Sequence, residues 1–329
     1  MRTFGKLPVA VILLALVSSQ VAAQGLLSKP VRLLTPQSPG SASDLILRGV
    51  GEVLSKDSGV ATFVENRTGA SGTIAARACA QAEPDGHTFC MLDAFNVALS
   101  PAIYETLPYD SREDLVPVAL MGFFPAGLWA NAKLPANSME ELLALAKKNP
   151  GKLNFATFGA ASSSSIYVAW FKNVRGIQFT NVPYKSALDA FRGVIAGETD
   201  VGSYALGPAA RNSRPGQLKL LAVNNPERVK EFPDTPILSE LNIDGVLAWF
   251  GLFAPKGTPK EIVERVNESI VKGLMNNPEM RKKFLDNAGI VPSAPAGGSA
   301  DSFAKFVGKE LDVYAKLVKD AGVEKLSHE

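Results

Sequence analysis

The residues best suited to chemistry in this chain are small polar ones that follow a short apolar stretch. Val31–Thr35 has the composition of a buried strand, and the residues after it favour a tight turn and then a helix. Such a turn points backbone N–H groups and hydroxyls at one place beside a helix N-terminus, which carries a partial positive charge. This arrangement predicts binding of an anion such as a carboxylate. The assigned residues are Ser38, Pro39, Gly40, Ser41, Ala42, Ser43 and Asp44. Asp44 is expected to cap and orient the turn, because a bare carboxylate in contact with an anion would repel it.

A second turn of the same kind follows the predicted strand Leu153–Thr157. It contains a glycine, small residues and a run of serines, and a helix is expected after it. Serine is common at helix N-caps, so one such turn says little by itself. Two turns, each at the end of a strand, favour a shared anion site. The residues assigned to the second turn are Phe158, Gly159, Ala160, Ala161, Ser162, Ser163 and Ser164.

Side chains that would support catalysis or metal binding are scarce. The histidines are His87, in a turn where we expect it to be solvated, and His328, near the C-terminus. Neither has sequence neighbours that could complete a metal cluster. The chain also contains no Gly-x-Ser-x-Gly elbow, Walker loop or complete Gly-x-Gly-x-x-Gly. The sequence therefore predicts a binding protein without cofactor or metal, not an enzyme.

The first 23 residues predict an export signal. Arg2 and Lys6 precede the apolar run Val9–Val17, and small residues lie just before Gln24. The run is shorter than the ~20 residues that span a bilayer, so we expect a soluble periplasmic protein. Removing the two signal cations from 34 basic residues leaves 32, against 32 acidic ones. A neutral chain is a poor candidate for binding nucleic acid or an anionic membrane surface.

Short apolar strands alternate with helical segments over most of the chain. Strands are predicted at Val31–Thr35, Thr62–Val64, Thr88–Leu92, Leu153–Thr157, Thr180–Pro183, Asp200–Ser203 and Leu218–Val223. Helices are expected from Ser43 or Asp44, over Met139–Lys148, from a cap at Thr258, after Pro278 and over Ala300–Asp320. This alternation predicts an α/β fold with parallel sheets that carry helices on both faces.

Two apolar segments, Val116–Asn131 and Leu247–Pro255, interrupt the alternation. They would let the chain cross into a second lobe and return, with the ligand cleft between the lobes at the carboxyl ends of the strands. The predicted division is a signal peptide at 1–23, a first lobe of 24–122 plus 251–329, and a second lobe of 123–250.

The two cysteines are Cys79, on a predicted helix, and Cys90, on a predicted buried strand. An exported protein can form a disulfide between them. Two separate thiols buried in the core are the favoured interpretation.

Several short motifs occur in the order expected of a known family. They are Ser28–Leu34, Val64–Gly72, Pro84–Gly86, Leu107–Asp110, Pro150–Ala156, Val182–Lys185, Leu221–Val223, Phe232–Pro236 and Trp249–Pro259. Through these motifs the mature chain resembles, over essentially its whole length, the Bug receptors of tripartite tricarboxylate transporters. The resemblance implies a periplasmic binding protein fold of type II that closes on a carboxylate. In the family, the two turns hold the carboxylate largely through backbone groups and water.

The chain departs from the family pattern at positions that bear on the ligand. Ser41 replaces a usual glycine, Gln37 replaces a common aromatic residue, and Tyr204 replaces an acidic residue. Such an acid would suit a ligand amino group, so its absence argues against an amino-acid ligand. Together with Phe158 and Phe95, Tyr204 would make the pocket less polar, unless these side chains pack in the core or at the rim. The resemblance therefore favours an apolar or aromatic carboxylate.

The hypothesis from sequence is a monomeric solute-binding protein that captures a small organic carboxylate by lobe closure and delivers it to a transporter's membrane permease. Two alternatives stay open. A sensory receptor would have the same binding lobes and would present its ligand to a signalling partner. An exported α/β enzyme would need buried, paired titratable groups in the cleft.

Overall fold

The computed structural model describes residues 27–159 and 162–327. The predicted signal peptide, Ala160, Ala161 and His328 lie outside the described residues. Within them the strands are β1 Val31–Thr35, β2 Thr62–Asn66, β3 Thr88–Asp93, β4 Leu115–Phe123, β5 Ala126–Asn131, β6 Asn154–Phe158, β7 Thr180–Tyr184, β8 Val201–Ala205, β9 Leu218–Asn224 and β10 Trp249–Pro255.

The same ranges contain ten α-helices. They are α1 Ala42–Ser58, α2 Thr73–Ala80, α3 Ser100–Ile103, α4 Met139–Lys148, α5 Ser163–Arg175, α6 Ala187–Ala196, α7 Leu206–Asn212, α8 Lys260–Ile270, α9 Pro278–Arg281 and α10 Ala300–Asp320. Short 3₁₀ turns occur at Ala70–Gly72 and Leu238–Leu241, and π-helical turns at Phe95–Leu99, Val271–Met275 and Lys282–Asp286. None of the helices described is both long and apolar enough to cross a membrane.

Side-chain caps explain where two of the predicted helices begin. Ser41 caps α1 by accepting a hydrogen bond from the Asp44 N–H at 3.3 Å, and Ser138 caps α4 in the same way. The predicted cap at Thr258 is wrong. Its hydroxyl donates to the Pro255 carbonyl at 2.8 Å, which closes the turn after β10, and α8 begins at Lys260 without a side-chain cap.

Each lobe is built on a five-stranded sheet, in the order β2-β1-β3-β10-β4 in the first and β7-β6-β8-β5-β9 in the second. The predicted sheets are parallel only in part, because β10 and β5 run antiparallel to both of their neighbours. Each of these strands enters its sheet from the other lobe. It therefore starts at the edge where its neighbours end, and it must run in the opposite direction.

The two segments that join the lobes pass side by side. The outgoing crossover consists of residues 124–125, and the returning crossover consists of residues 246–248, just before β10. The Phe124 N–H donates to the Ala248 carbonyl at 2.8 Å, and Phe123 pairs with Trp249 in the first sheet. The chain thus crosses twice between two sheets, and the predicted residue limits of the lobes stay a prediction.

One hydrophobic core continues from lobe to lobe beside the crossovers. Trp170 and Phe171 of α5 belong to the same buried cluster as Tyr314 and Leu317 of α10. All four side chains are at most 2% exposed. The C-terminal helix is therefore a structural support shared by both lobes.

The cysteines form a disulfide, so the favoured prediction of two free thiols is wrong. Cys79 of α2 and Cys90 of β3 are both fully buried, and their Cα atoms lie 6.0 Å apart, within the range that a disulfide requires. The packing of α2 on the first sheet brings them together. How α2 packs on the sheet is a feature of the tertiary structure, and the local sequence patterns around the two cysteines do not contain it.

The expectation of a solvated His87 is also wrong. Its side chain is only 12% exposed, and Nε2 accepts hydrogen bonds from the backbone N–H groups of Ser28 and Lys29 at 3.1 and 3.2 Å. The histidine therefore fastens the segment that leads into β1.

Replacing both cysteines by alanine is expected to lower the free energy of unfolding by about 3 kcal/mol, because the short loop that they close restricts the unfolded chain. Urea unfolding with and without reductant measures this difference. The reductant should shift the wild-type midpoint and leave that of the double variant unchanged. Equal midpoints for the two proteins without reductant would contradict the assignment.

Candidate functional site

The second-lobe turn is closed by its own serines. Gly159 has a left-handed φ of 71°, which turns the chain directly after β6. Ser162 caps α5 by accepting a hydrogen bond from the Ser165 N–H at 3.2 Å, and Ser165 Oγ donates to the Gly159 carbonyl at 2.8 Å. The N–H groups of Ser163 and Ser164 lie in the first turn of α5, where a helix offers them no internal acceptor. Ser164 is fully buried, whereas Ser163 is partly exposed, so the Ser163 N–H is the better placed of these two donors to meet a ligand.

A cavity of about 550 Å³ lies between the two sheets, next to this turn. Both lobes, the returning crossover and the C-terminal segment contribute to its wall. The lining residues are Ala94, Phe95, Leu99, Ala126, Phe158, Gly159, Ser162, Ser163, Tyr167, Ser203, Asn224, Val246, Leu247, Ala248, Tyr314 and Leu326. The volume is typical of small-molecule sites, which occupy about 300–1,000 Å³.

Strand ends supply much of this wall. Phe158 is the last residue of β6, Asn224 is the last residue of β9, and Ala94 directly follows β3. Ala126, by contrast, begins β5, one of the two reversed strands. The cavity therefore lies at the edge of the sheets where the sequence predicted the ligand cleft.

The cavity wall is electrically neutral. No charged side chain of residues 27–159 or 162–327 lines it. Its polar groups are hydroxyls, one amide side chain and backbone groups, and they lie beside aromatic and aliphatic side chains. In the same ranges no group of three or more His, Cys, Asp or Glu side chains is placed to hold a metal ion. This arrangement suits noncovalent binding of an anion by fixed dipoles.

The returning crossover is held by polar side chains from both lobes. Tyr167 of α5 accepts a hydrogen bond from the Val246 N–H at 3.3 Å, and Asn224 donates to the Val246 carbonyl at 2.5 Å. On the other side, the Tyr314 hydroxyl of α10 donates to the Leu247 carbonyl. Burial raises the pKa of Tyr167 and of Tyr314, so both phenols stay protonated.

The turn of the first lobe, residues 38–44, does not contribute to the wall of this cavity. Residues 38–40 are exposed, whereas Ser43 and Asp44 are at most 2% exposed. Ser43 Oγ lies 2.6 Å from Thr35 Oγ1 inside the lobe. The side chains of Ser43 and Asp44 are therefore engaged in the lobe interior. A direct contact of the first turn with a ligand stays a prediction.

Asp44 has the orienting role that was expected of it. Its carboxylate accepts hydrogen bonds from the Gly40 N–H at 3.0 Å, from Arg48 Nε at 2.9 Å and from Asn66 Nδ2 at 3.0 Å. Burial alone would raise the pKa of Asp44, but the hydrogen bonds from Arg48, Gly40 and Asn66 together outweigh it and hold the pKa below its ordinary value. The ionised carboxylate thus fixes the turn to α1 and β2.

A short chain of hydrogen bonds connects the first turn with the cavity wall. Gln37 Nε2 donates to Asp93 Oδ2 at 3.2 Å, and the Asn96 N–H donates to Asp93 Oδ1 at 3.1 Å. Asp93 directly precedes the wall residues Ala94 and Phe95. Burial raises the pKa of Asp93 in spite of these hydrogen bonds. Gln37, a departure from the family pattern, therefore supports the wall without lining it.

Two of the three aromatic residues considered for the pocket line the cavity. They are Phe95 and Phe158. The ring of Tyr204 instead stacks on Phe191, with ring centroids 4.2 Å apart, and its neighbour Ser203 lines the cavity. Successive residues of a strand point to opposite faces of the sheet, so a one-residue offset decides which side chain faces the cleft. Tyr204 is thus placed outside the pocket that it was expected to shape.

Sequence reasoning missed several wall residues. Asn224 directly follows the predicted strand Leu218–Val223, and a polar residue at the carboxyl end of a strand is the signal that could have found it. Tyr314 lies in the predicted helix Ala300–Asp320, and neither it nor Tyr167 or Leu326 carries a local signal for a ligand site. Only the tertiary fold brings these residues to the cleft.

A comparison with protein families identifies the chain. Residues 46–323 match the family described as the tripartite tricarboxylate transporter family receptor. The chain belongs to this receptor family. A UPF0065 protein of Bordetella bronchiseptica is 33% identical over 317 residues, which cover 96% of this chain and 92% of that protein.

Solved structures agree with this assignment. The periplasmic binding protein BugD is 27% identical with a TM-score of 0.68, covering 91% of this chain and 100% of that one. An R. palustris protein with adipate is 28% identical with a TM-score of 0.72, covering 91% and 99%. MatC of Rhodopseudomonas palustris, with bound malate, is 28% identical with a TM-score of 0.67, covering 88% and 99%. The resemblance to the Bug receptors is confirmed.

Membership in this family decides between two hypotheses from sequence, the solute-binding receptor and the exported enzyme. The family and its solved members are solute-binding proteins of the periplasmic type. This chain is therefore a solute-binding receptor of the tripartite transporter family and not an enzyme.

A buried acid anchors the receptor's returning crossover to the C-terminal helix. Trp249, the first residue after the crossover, donates from Nε1 to Glu310 Oε2 at 3.2 Å. Glu310 is 4% exposed. Its burial raises the pKa to about 7, even though the hydrogen bond from Trp249 lowers it. Glu310 is thus a neutral hydrogen-bond partner in mildly acidic solution.

Glu310→Gln is expected to stabilise the receptor increasingly as the pH rises from about 4.5 to about 7. Because the folded-state pKa is raised, the contribution of protonated Glu310 is complete below the unfolded pKa and is lost as the pH rises through the folded pKa. Glutamine stays neutral, so the gain should approach about 3 kcal/mol. Urea unfolding across this range measures it, with Glu324→Gln at an exposed position as the control. A gain independent of pH would contradict the assignment.

Proposed function

We propose that this receptor captures a small organic carboxylate in the cavity between its lobes and delivers it to the membrane permease of a tripartite tricarboxylate-type transporter. The observation that carries this proposal is a neutral cavity of about 550 Å³ whose wall includes the N-terminal turn of α5. We further propose that the protein acts in the periplasm as a monomer, after removal of residues 1–23.

The electrostatics of the α5 turn support an anionic ligand. A helix N-terminus carries about half a positive charge, and its first N–H groups are free to donate. Ser162 and Ser163, at the start of α5, both line the cavity. A hydrogen bond to a charged group contributes roughly 1.5–3 kcal/mol, so a few of them supply the ~8 kcal/mol of micromolar binding.

The solved relatives support the class of ligand. The adipate and malate in two of them are small dicarboxylates, and a ligand of similar size would suit a cavity of about 550 Å³. The neutral wall adds a preference of its own. It offers no described cationic side chain to a second carboxylate and no acidic one to an amino group. We therefore favour a carboxylate with an apolar or aromatic body that contacts Phe95 and Phe158.

A titration with mono- and dicarboxylates tests the proposed function. Purified mature protein should bind at least one small carboxylate with a Kd of about micromolar size, measured by calorimetry and by the shift in melting temperature. Hexanoate and benzoate should bind more tightly than malate, because the second charge of malate would lose its hydration without an ionic partner. The corresponding primary amides, which lack the charge, are the controls. The proposal fails if no carboxylate binds at millimolar concentration.

Ser163→Asp tests the position of the ligand's negative charge. A carboxylate at the N-terminus of α5 would occupy the favourable potential, so affinity for an anionic ligand should fall by about 100-fold or more. The fold should persist, because an acidic residue in the first turn stabilises a helix by about 0.3–1 kcal/mol.

Ser163→Asn is the matched control, since it has nearly the same shape without the charge. Calorimetric titration of both variants with the ligand that the wild type binds most tightly gives the comparison. Equal affinities of the aspartate and asparagine variants would contradict the proposal that the ligand's negative charge lies at the end of α5.

A further inference from the structure

The C-terminal segment returns to the cleft after α10. Its Leu326 forms a short parallel bridge with Tyr104. The Leu326 N–H donates to the Ile103 carbonyl at 2.8 Å, and the Leu326 carbonyl accepts from the Glu105 N–H at 3.0 Å. These two bonds fix the backbone at one position, so the direction of the Leu326 side chain is defined.

The beginning of this segment is fastened to the second lobe. Asn173 of α5 donates from Nδ2 to the Ala321 carbonyl at 2.7 Å. Gly322 follows with a left-handed φ of 63°, and a Cβ atom there would lie 2.7 Å from Asn173 Nδ2. The segment is therefore anchored to the second lobe by its first residues and to the first lobe by Leu326.

Neighbouring side chains of the segment point to different sides. Leu326 is half-buried and lines the cavity between the lobes. Lys325 is exposed and lines a separate surface depression of about 280 Å³. An extended backbone alternates its side chains in this way. Leu326 is thus an apolar wall residue of the ligand cavity, contributed by the last described residues of the chain.

We propose that Leu326 is a specificity-determining residue that limits the length of the ligand's apolar end. This inference rests on the proposed function, because it assigns a role in the same cavity. Phe95 and Leu99, also apolar, line that cavity, and Leu326 adds a side chain from a different part of the chain. The anionic end of the ligand lies at α5, and its apolar body extends towards the wall that includes Leu326.

Leu326→Ala tests this role, with hexanoate and decanoate as probes. The variant should bind hexanoate roughly tenfold more weakly than the wild type, because it loses apolar contact with the ligand. It should bind decanoate better relative to hexanoate, because the wall is shortened. Lys325→Ala, the adjacent residue on the other side of the segment, should bind both probes like the wild type. Unchanged affinities of Leu326→Ala for both probes would overturn the proposal.

A second measurement separates failure of this inference from failure of the proposed function. Leu326→Cys and Lys325→Cys are labelled with a maleimide without any ligand, and the Leu326→Cys thiol should react about tenfold more slowly. If the wild type binds no carboxylate, the proposed function fails, and slow labelling still supports the wall position of Leu326. Equal labelling rates would overturn that position, whatever the titrations give.

Discussion

The binding cavity depends on satisfying the polar backbone where the chain returns from one lobe to the other. Residues 246–248 line the cavity and lie between two sheets, and a buried N–H or C=O group without a partner costs about 1–3 kcal/mol. Tyr167, Asn224 and Tyr314 supply partners from both lobes, and the outgoing crossover supplies another at Phe124. The side chains that hold the returning crossover therefore also line the cavity. This couples the position of the lobes to the shape of the cavity.

The two small-residue turns solve the same structural problem with different chemistry. Each reverses the chain between a strand and a helix, and each begins its helix with a serine cap. The first turn is fixed by the carboxylate of Asp44, which Arg48 and Asn66 hold in place. Among its described residues, the second is fixed by the hydroxyls of Ser162 and Ser165 and by the Ser162 N–H, which donates to the Gly159 carbonyl at 3.2 Å. The first turn thus contains a carboxylate that Arg48 balances, whereas the described residues of the second turn include no charged side chain, which supports the proposal that the ligand's carboxylate binds at the end of α5.

Local patterns predicted the elements well and their mutual placement only in part. Alternation of strands and helices, and caps such as Ser138, depend on a few neighbouring residues. The disulfide between Cys79 and Cys90 depends instead on how α2 packs on the sheet, and the choice between Ser203 and Tyr204 depends on a register of one residue. The part played by Leu326 depends on a contact with residues 103–105, more than two hundred positions away. Such features follow from tertiary packing, which a reading of neighbouring residues does not include.

A wall without charged side chains suits a receptor that must also release its ligand. A buried cation would bind a carboxylate strongly, but both charges would first lose their hydration, and the bound pair would separate slowly. Serine hydroxyls and helix N–H groups are already oriented by the fold, and they need little rearrangement when the anion arrives. In the proposed binding mode, the binding energy comes from several moderate contacts on two lobes, and opening the lobes removes them together. Neutral dipoles therefore allow both capture of the solute and its transfer to the permease.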